Sequence, residues 1–307
     1  MERIDIRFGG YHGPSSVQSR AVRVFGEALA GRLGDDVAFE HIQNVMDLGR
    51  PATDLLDMVS TGEATLCYFA SSYLGQHVPE FELLDLPFMI RDRAQAHAML
   101  DGPLCAYLAE RIADVTDYRI VSWWDNGFRH LSNGVRPIRR PEDCVGLRIR
   151  TLRSDIYTQT FAALGFEPVF TDVKELAGAV ASGEVDAQEN ALANTFSLGA
   201  NKHHRWITIS GHFFGPTVVL CHKATYDGWT DDVRSAADAA LATATAAQRE
   251  FADAEEAAVL ANNDISGNEI INLTEDERAA FLAVVQPVVA ATVARHRDEL
   301  FEYLPKG

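Results

Sequence analysis

The sequence predicts an α/β fold of two lobes, each a mixed sheet flanked by helices, with one long helix that spans both lobes. The chain has 307 residues, of which 47% are hydrophobic and 23% charged, so it can bury a core and divide it between two lobes. Strand-like segments alternate with amphipathic helical segments in two successive blocks. An alanine-rich stretch without Pro or Gly then runs from about Thr230 to Asn262, where a helix would reach roughly 45 to 50 Å.

The first block covers about the first 125 residues and follows the order of βαβ units. Helices are predicted from about Ser16 to Leu33 and near Asp54 to Ser60. The strand-like segments around them are IDIRFGG, VAFEHI and ATLCYFA. This order predicts a sheet with helices on both faces.

The second block repeats this alternation. Its strand-like segments are RHLSN, GLRIR, EPVF and EVDAQE, and its helical segments are SDIYTQTFAALG and VKELAGAVASG. Gly165 and Gly183 stand where glycine commonly ends a helix. After the long helix, Thr274 and Glu277 form a T-x-x-E capping box that opens a last helix, which Pro287 is expected to kink.

These blocks predict the domain boundaries. Lobe I is expected to comprise residues 1–126 and about 212–250. Lobe II is expected to comprise residues 127–211 and about 251–307, with a ligand cleft between the lobes.

The charge of the chain excludes two classes of partner. A formal net charge of −17 repels nucleic acid and anionic membrane surfaces, so neither is expected as a partner, and any anionic ligand needs a local cationic pocket. The longest apolar stretch, around Ala279 to Ala294, is interrupted by Gln286 and Pro287 and is shorter than the roughly 20 residues that cross a bilayer. The chain enters a strand-like segment directly, which predicts either a cytoplasmic protein or one whose signal peptide has been removed.

Cysteine and histidine spacing indicates no metal site. Four widely spread cysteines form no C-x-x-C pair and are interpreted as buried, inert thiols, although disulfide pairing stays open: Cys67, Cys105, Cys144 and Cys221. His203, His204 and His212 are interpreted as surface or capping residues, because adjacent histidines on a helix point to different faces. No metal or cofactor is expected.

Binding residues are expected where strands end, because ligands of open α/β sheets bind at the carboxyl ends of strands. In GLRIR the alternation of side chains directs Arg150, at the end of the strand, toward a crevice. Arg150 belongs to a run of seven arginines: 129, 136, 139, 140, 148, 150 and 153. Arg136, Arg139, Arg140 and Arg148 are interpreted as surface charges. Asn190 follows EVDAQE and is either a turn former or a residue that orients a ligand oxygen.

Aromatic side chains provide candidate pocket walls. Most aromatic residues are simply core, but four are predicted at or beside strand ends: Tyr11, Tyr68, Trp124 and Phe213.

Enzyme signatures are sparse. The sequence contains no G-x-S-x-G, H-E-x-x-H or P-loop motif. The alternative to a binding protein is an α/β enzyme that holds an anionic substrate through Arg129 and Arg150, with His12 or His212 as base.

Several segments resemble those of one known family in order and spacing. HVPEFELLDLPFMIRD resembles the "PE…LPF" segment of TRAP (tripartite ATP-independent periplasmic) solute receptors, the DctP-like family. NGFRHLSN resembles the "NGxR" strand of these receptors, and PEDCVGLRIRT resembles their "DlkGlkiR" strand. ALGFEPVFTDVKELAGAVASGEVDAQEN resembles the block that ends in "vDgqEN", and SGHFF resembles the "tnH" strand, which adds His212 to the candidates. The match extends from about Ile4 to Phe214.

The resemblance implies an exported, periplasmic receptor that catalyses nothing and has the two-lobed, type II-like fold of periplasmic binding proteins. It implies that Arg150 binds the ligand carboxylate, that Arg129 assists, and that Asn190 contacts the same carboxylate. The implied partners are a small organic carboxylate and the small and large TRAP membrane subunits, with the receptor itself a monomer. A receptor that serves an ABC permease or a sensor kinase is the alternative within binding proteins.

Departures from the family pattern bear on the substrate. Sialic-acid receptors carry Asn where this chain has Tyr11 and Glu where it has Ala70, so groups that bind sugar hydroxyls are missing. The aromatic candidates Tyr11, Tyr68, Trp124 and Phe213 favour an aromatic or weakly hydroxylated acid, such as a benzoate-like acid. A sugar acid or a dicarboxylate is the alternative substrate.

Overall fold

The computed structural model describes residues 3–261 and 267–304, and within these ranges the chain alternates strands and helices as predicted. The strands are β1 (Ile4–Gly9), β2 (Val37–Ile42), β3 (Leu66–Ala70), β4 (Tyr118–Asn133), β5 (Arg148–Thr151), β6 (Glu167–Phe170), β7 (Ala187–Ala191), β8 (Trp206–His222) and β9 (Glu269–Asn272). The helices are α1 (Val17–Leu33), α2 (Asp54–Ser60), α3 (Arg93–Leu100), α4 (Pro103–Val115), α5 (Asp155–Ala163), α6 (Val173–Ser182), α7 (Leu192–Ser197), α8 (Lys223–Gly228), α9 (Asp231–Ala261), α10 (Glu275–Val293) and α11 (Asp298–Phe301).

The chain forms two compact units. The first unit comprises Met1–Val78, Cys105–Asp125 and Pro216–Glu255. The second unit comprises Pro79–Leu104, Asn126–Gly215 and Glu256–Gly307. The chain passes from one unit to the other after Val78 and within α4, β4, β8 and α9, so the long helix contributes residues to both units.

One segment lies in a different unit from the predicted one. The domain boundaries predicted from the sequence place residues 79–104 in lobe I, whereas Pro79–Leu104 belongs to the second unit. The reason is packing against residues that come later in the chain. The backbone N–H of Phe88 donates to the carbonyl of His212 over 2.8 Å, and its ring packs at 6.3 Å from that of Phe281 on α10.

The first unit is built on a sheet in the order β2, β1, β3, β8. The first three strands are parallel, and β8 runs antiparallel to β3. Phe8 of β1 is fully buried and packs edge-on against Phe25 of α1, with ring centroids 5.6 Å apart. The helix α1 begins as predicted, since the Ser16 side chain accepts a hydrogen bond from the backbone N–H of Ser19.

The second unit carries the strand order β4, β7, β5, β6. β4 and β7 are antiparallel, β5 is parallel to both β7 and β6, and β9 pairs in parallel with the beginning of β8. A cluster of buried side chains covers one part of this unit: Leu176, Ala179, Val180, Val185 and Ala200. The parallel strands place the carboxyl ends of β5 and β7 at the same edge.

Two strands are far longer than the sequence indicated. β4 has 16 residues and β8 has 17. The extra length of β4 comes from the segment SWWDNGF, which precedes the predicted RHLSN and continues the strand. Gly127 has φ of +86° within β4, a conformation that costs glycine little and other residues much more. As a consequence Trp124 and Phe213 lie in the middle of strands, and their predicted position at strand ends is wrong.

The helix ends follow their local signals. The helices predicted over Asp54–Ser60 and from Thr230 are confirmed as α2 and α9, while Asn262, the predicted end of the latter, lies outside the described residues. The capping box is confirmed, with Thr274 N–H donating to the Glu277 carboxylate over 2.8 Å and Glu277 N–H donating to the Thr274 hydroxyl over 3.2 Å. Helix α10 then continues through Pro287 to Val293.

Two further sequence expectations concern membranes and thiols. In residues 3–261 and 267–304, none of the helices combines the length and the apolar character that a bilayer crossing requires. All four cysteines lie in the described ranges, and each is buried and outside any disulfide.

Candidate functional site

Strand register in the second unit brings the predicted binding residues onto three adjacent strands. β7 lies between β4 and β5, with Asn190 paired with His130 of β4 and Gln188 paired with Arg150 of β5. Residues paired across strands share a face, and so do residues two apart on one strand. Asn190 and Arg150 therefore lie on the same face of the sheet, while Arg129 lies on the face of Glu189.

Arg129 is held in a buried ion pair with Glu189. Its Nε and Nη2 donate to the two carboxylate oxygens, the second over 2.8 Å, and Nη2 also donates to the Glu189 carbonyl over 3.1 Å. Glu189 is 0% exposed. Burial, the largest single influence, would raise the pKa of this carboxyl, but the Arg129 charge and the hydrogen bonds from His212 and Arg129 together lower the pKa, so Glu189 is charged. The sequence analysis did not single out Glu189, although it stands next to Asn190 in the QEN motif.

His212 also lies beside the Glu189 carboxylate. Its Nε2 is 3.6 Å from a Glu189 carboxylate oxygen, and its Nδ1 is 2.7 Å from the hydroxyl of Ser210. The side chain is 1% exposed, so the predicted surface or capping role of His212 is wrong, as is that of His204, which is also buried. Both histidines lie on or next to β8, a strand covered on both faces for most of its length.

The environment of His212 predicts a pH dependence of stability. Burial, opposed in part by Glu189, lowers the pKa of His212 from 6.5 to about 4. The unfolded chain therefore takes up a proton at His212 below about pH 6.5 while the folded protein does not, and stability present above that pH is lost as the pH falls toward 4. We expect the His212→Gln variant to lose this contribution. As the pH falls, its free energy of unfolding should decrease less steeply than that of the wild type, with a difference in slope of up to about 1.4 kcal/mol per pH unit. Urea unfolding of the wild type and the variant between pH 4 and pH 6.5 tests this expectation. Parallel plots of unfolding free energy against pH would contradict it.

Arg150 occupies the predicted position near the end of β5. The side chain is 3% exposed, and its Nε donates to the carbonyl of Thr171, just beyond β6, over 2.9 Å. This bond anchors the guanidinium at the carboxyl edge of β5 and β6. Arg148, two residues earlier, instead forms a partly exposed ion pair with Asp186 at 2.8 Å, consistent with the surface role predicted for it.

Asn190 is the next-to-last residue of β7 and is buried. Its side-chain oxygen accepts hydrogen bonds from the backbone N–H of Ala191 over 2.9 Å and from the Asn194 amide over 3.3 Å. Both bonds use the oxygen. The geometry therefore orients the amide group and presents its nitrogen as a donor.

Aromatic side chains surround this part of the second unit. Tyr157 of α5 stacks on Phe213 of β8, with ring centroids 4.1 Å apart and planes inclined by 27°. The Arg129 guanidinium carbon lies 5.8 Å from the Tyr157 ring centroid, and the Tyr157 hydroxyl is 3.5 Å from a carboxylate oxygen of buried Asp85. Sequence reasoning missed Tyr157 because it reads as a core position of an amphipathic helix.

In the first unit, the Tyr68 side chain holds the loop after β1 in place through hydrogen bonds. The backbone N–H groups of Tyr11 and His12 both donate to the Tyr68 hydroxyl over 3.1 Å. The Tyr11 ring lies 5.2 Å from that of Tyr68. Gly10 permits this approach, since a Cβ there would lie 2.8 Å from the Tyr68 hydroxyl and 2.9 Å from the Gln43 carbonyl. Tyr68 thus positions Tyr11, while its own hydroxyl is occupied.

Removing this hydroxyl is expected to destabilise the protein. The Tyr68→Phe substitution leaves two buried N–H groups without their acceptor, which should cost about 1–3 kcal/mol of unfolding free energy. Tyr226→Phe is the matched control, because the Tyr226 hydroxyl bonds the Asp238 carboxylate at an exposed position. Chemical denaturation should show a clear loss for Tyr68→Phe only. Equal losses in the two variants would contradict this role of Tyr68.

Trp124 is a core residue of the first unit. It is 0% exposed, stacks on Phe8 with ring centroids 6.1 Å apart, and its Nε1–H donates to the Thr245 hydroxyl over 3.1 Å. Both its ring face and its polar group are therefore engaged within that unit. Among the described residues, no group of three or more His, Cys, Asp or Glu side chains is arranged to hold a metal ion.

Comparisons with known proteins identify the family of this chain. Residues 8–296 match the family described as bacterial extracellular solute-binding protein, family 7. A solute-binding protein of Verminephrobacter eiseniae is 30% identical over 277 residues, which cover 90% of this chain and 81% of the relative. The C4-dicarboxylate-binding periplasmic protein DctP of Rhodobacter capsulatus is 31% identical over 212 residues, which cover 69% of this chain and 63% of the relative. A solved TRAP periplasmic solute-binding protein of Bordetella bronchispeptica, with density interpreted as pantoate, has a TM-score of 0.90 at 26% identity and covers 98% of each chain.

The two-unit α/β fold and these matches define a solute receptor of the TRAP class. The chain belongs to the bacterial extracellular solute-binding proteins of family 7. Proteins of this class bind and deliver solutes and are not enzymes, which removes the α/β-enzyme alternative. The predicted fold class and the predicted family are confirmed.

Proposed function

We propose that this receptor captures a small organic carboxylate in the periplasm through Arg150 and delivers it to the small and large membrane subunits of a TRAP transporter. The observation that carries the proposal is the buried guanidinium of Arg150, anchored by the Thr171 carbonyl at the carboxyl edge of β5 and β6. The planar fork of arginine matches the two oxygens of a carboxylate. In a chain of net charge −17, an anion needs such a local cation.

The neighbouring residues support divided roles. Asn190 lies on the same face as Arg150, and its amide nitrogen supplies a neutral donor to the same carboxylate. Arg129 lies on the opposite face, where Glu189 already neutralises it, so we assign it a supporting role through β4 and β7 in place of direct contact with that carboxylate. His212 supports this arrangement through Glu189.

For the substrate, we favour an aromatic or weakly hydroxylated acid. The Tyr157–Phe213 stack next to Arg129 provides apolar, planar surface in the second unit. Tyr68 and Trp124 contribute by holding the first unit in shape, since their polar groups are already bonded. A dicarboxylate or a sugar acid is the alternative, and the Rhodobacter capsulatus and Bordetella bronchispeptica relatives make the dicarboxylate and a hydroxy acid natural comparisons.

A thermal-shift screen tests the proposal. The purified protein is heated with benzoate, succinate, pantoate and glucuronate, each compared with its uncharged amide. Any of these acids that binds the folded state alone raises the melting temperature. Stabilisation by benzoate or pantoate supports the favoured substrate, and stabilisation by succinate or glucuronate alone overturns it in favour of the dicarboxylate or sugar-acid alternative. If every acid and its amide leave the melting temperature unchanged, the carboxylate receptor itself is contradicted.

A further inference from the structure

An exposed arginine stands beside the proposed binding residue, on the same edge of the second unit. The guanidinium carbon of Arg153 lies 4.6 Å from the centroid of the Phe170 ring, in a cation–π arrangement. Phe170 ends β6 and is 45% exposed, an unusual position for so large an apolar ring. Its backbone pairs with Thr151, the last residue of β5.

This pair is continuous with the surroundings of Arg150. Arg150 precedes Thr151 in β5, and its Nε bonds the carbonyl of Thr171, the residue that follows Phe170. Arg153 follows two residues after Thr151, in the loop that leads to α5. Arg153 and Phe170 therefore lie at the carboxyl ends of the two strands whose edge holds Arg150.

Three other arginines of this run are neutralised or bonded to the backbone. Arg148 pairs with Asp186, and Arg139 pairs with Glu277 at 3.4 Å. Arg136 donates to the backbone carbonyls of Asp143 and Val145. Arg153 differs from these: within the described residues its guanidinium has the Phe170 ring as its neighbour and no carboxylate at ion-pair distance. Its positive charge is exposed and held in one place by the ring.

We propose that Arg153, held over Phe170, guides anionic ligands toward Arg150, an inference that rests on the proposed carboxylate function. The net charge of −17 repels an approaching anion at long range, so an uncompensated cation beside the binding residue has a large relative effect on encounter. One unit charge acting through water over about 5–10 Å changes the local concentration of a monoanion about two- to fourfold. A guide of this kind alters the association rate and leaves the dissociation rate nearly unchanged.

Stopped-flow binding kinetics test whether Arg153 guides the ligand toward Arg150; this proposed role is called the guide. The probe is whichever of benzoate, succinate or pantoate gives the largest melting-temperature shift with the wild-type protein. Association rates are measured for the wild type, Arg153→Gln, Phe170→Leu and Arg140→Gln at ionic strengths of about 20 mM and about 500 mM, where the Debye length falls from roughly 20 Å to roughly 4 Å. Arg140→Gln is the matched control, since it removes the same charge from an exposed arginine of the same run.

At low salt we expect Arg153→Gln to associate about two- to fourfold more slowly than Arg140→Gln, and the two to converge at high salt. Phe170→Leu keeps the charge but releases the side chain, so it should show part of the loss. The guide is overturned if Arg153→Gln and Arg140→Gln have equal association rates, or if the loss persists at high salt. A change confined to the dissociation rate also overturns it, because that result means direct contact in the bound state.

The same data distinguish failure of this inference from failure of the proposed function on which it rests. If neither these three acids nor glucuronate binds the wild type, the proposed function and the role of Arg153 both fail. If an acid binds and Arg150→Ala abolishes its binding while Arg153→Gln matches the control, the guide alone fails. Melting temperatures of the variants without ligand establish that each is folded, which is expected because both arginines are exposed.

Discussion

Arg150→Ala is expected to weaken carboxylate binding by about 2–5 kcal/mol, which is a loss of roughly 30-fold to several thousand-fold in affinity. The physical reason is that a desolvated ligand carboxylate loses its charge-assisted, bidentate partner. Arg150→Lys retains the charge without the planar fork and should fall between the alanine variant and the wild type. Isothermal titration of the three proteins with the acid found in the thermal screen gives these affinities.

The control for this experiment is Arg148→Ala. Arg148 lies on the same strand, two residues away, but its guanidinium is committed to Asp186 at a partly exposed position. We expect its replacement to change affinity by less than about 0.5 kcal/mol, as for most surface substitutions. Similar losses for the two alanine variants would show that the effect comes from net charge or local folding, and an unchanged affinity for Arg150→Ala would remove this residue from the site.

Glu189→Gln is expected to destabilise the folded protein by about 3–5 kcal/mol, because it leaves the buried Arg129 charge without its partner. Glu189 is 0% exposed and Arg129 is 5% exposed, so solvent cannot replace the lost carboxylate. Replacing both residues with methionine should recover much of the stability, since no uncompensated charge then remains. Urea unfolding of the single and double variants measures both effects.

The matched control is a partly exposed ion pair between Arg148 of β5 and Asp186, the residue that precedes β7. Asp186→Asn breaks the ion pair with Arg148, whose side chains are 23% and 42% exposed respectively, and should cost about 1 kcal/mol or less. A cost for Glu189→Gln no larger than that for Asp186→Asn would contradict the account of Glu189 as the counter-charge that holds Arg129.

Local features of the fold were predictable because their causes lie close together in the sequence. Helix α1 follows a Ser16 cap, and the last helix opens at the Thr274 and Glu277 box, so both starts depend on residues three positions apart. Helix α6 ends at Gly183, which has the left-handed conformation that glycine tolerates best. The three binding candidates on β4, β5 and β7 followed from strand-end reasoning and family resemblance, and their binding roles stay predictions.

What the sequence did not predict depends on contacts between distant segments. The length of β4 was missed because Asp125, Asn126 and Gly127 resemble a turn, yet the strand continues through them. The second-unit position of Pro79–Leu104 depends on packing against α10, where Phe281 lies 193 residues after its partner Phe88. The role of Glu189 requires the register of β4 against β7, which hydrophobic alternation within one strand cannot supply.

The most direct test of the central claim is a calorimetric titration of the wild-type protein with the stabilising acid and, in parallel, with its primary amide. The two ligands share shape and apolar surface and differ in the carboxylate charge. If Arg150 binds a carboxylate as proposed, the acid should saturate one site and the amide should bind at least about 100-fold more weakly. Equal affinity for the acid and the amide would show that recognition does not depend on the carboxylate, and would contradict the central claim.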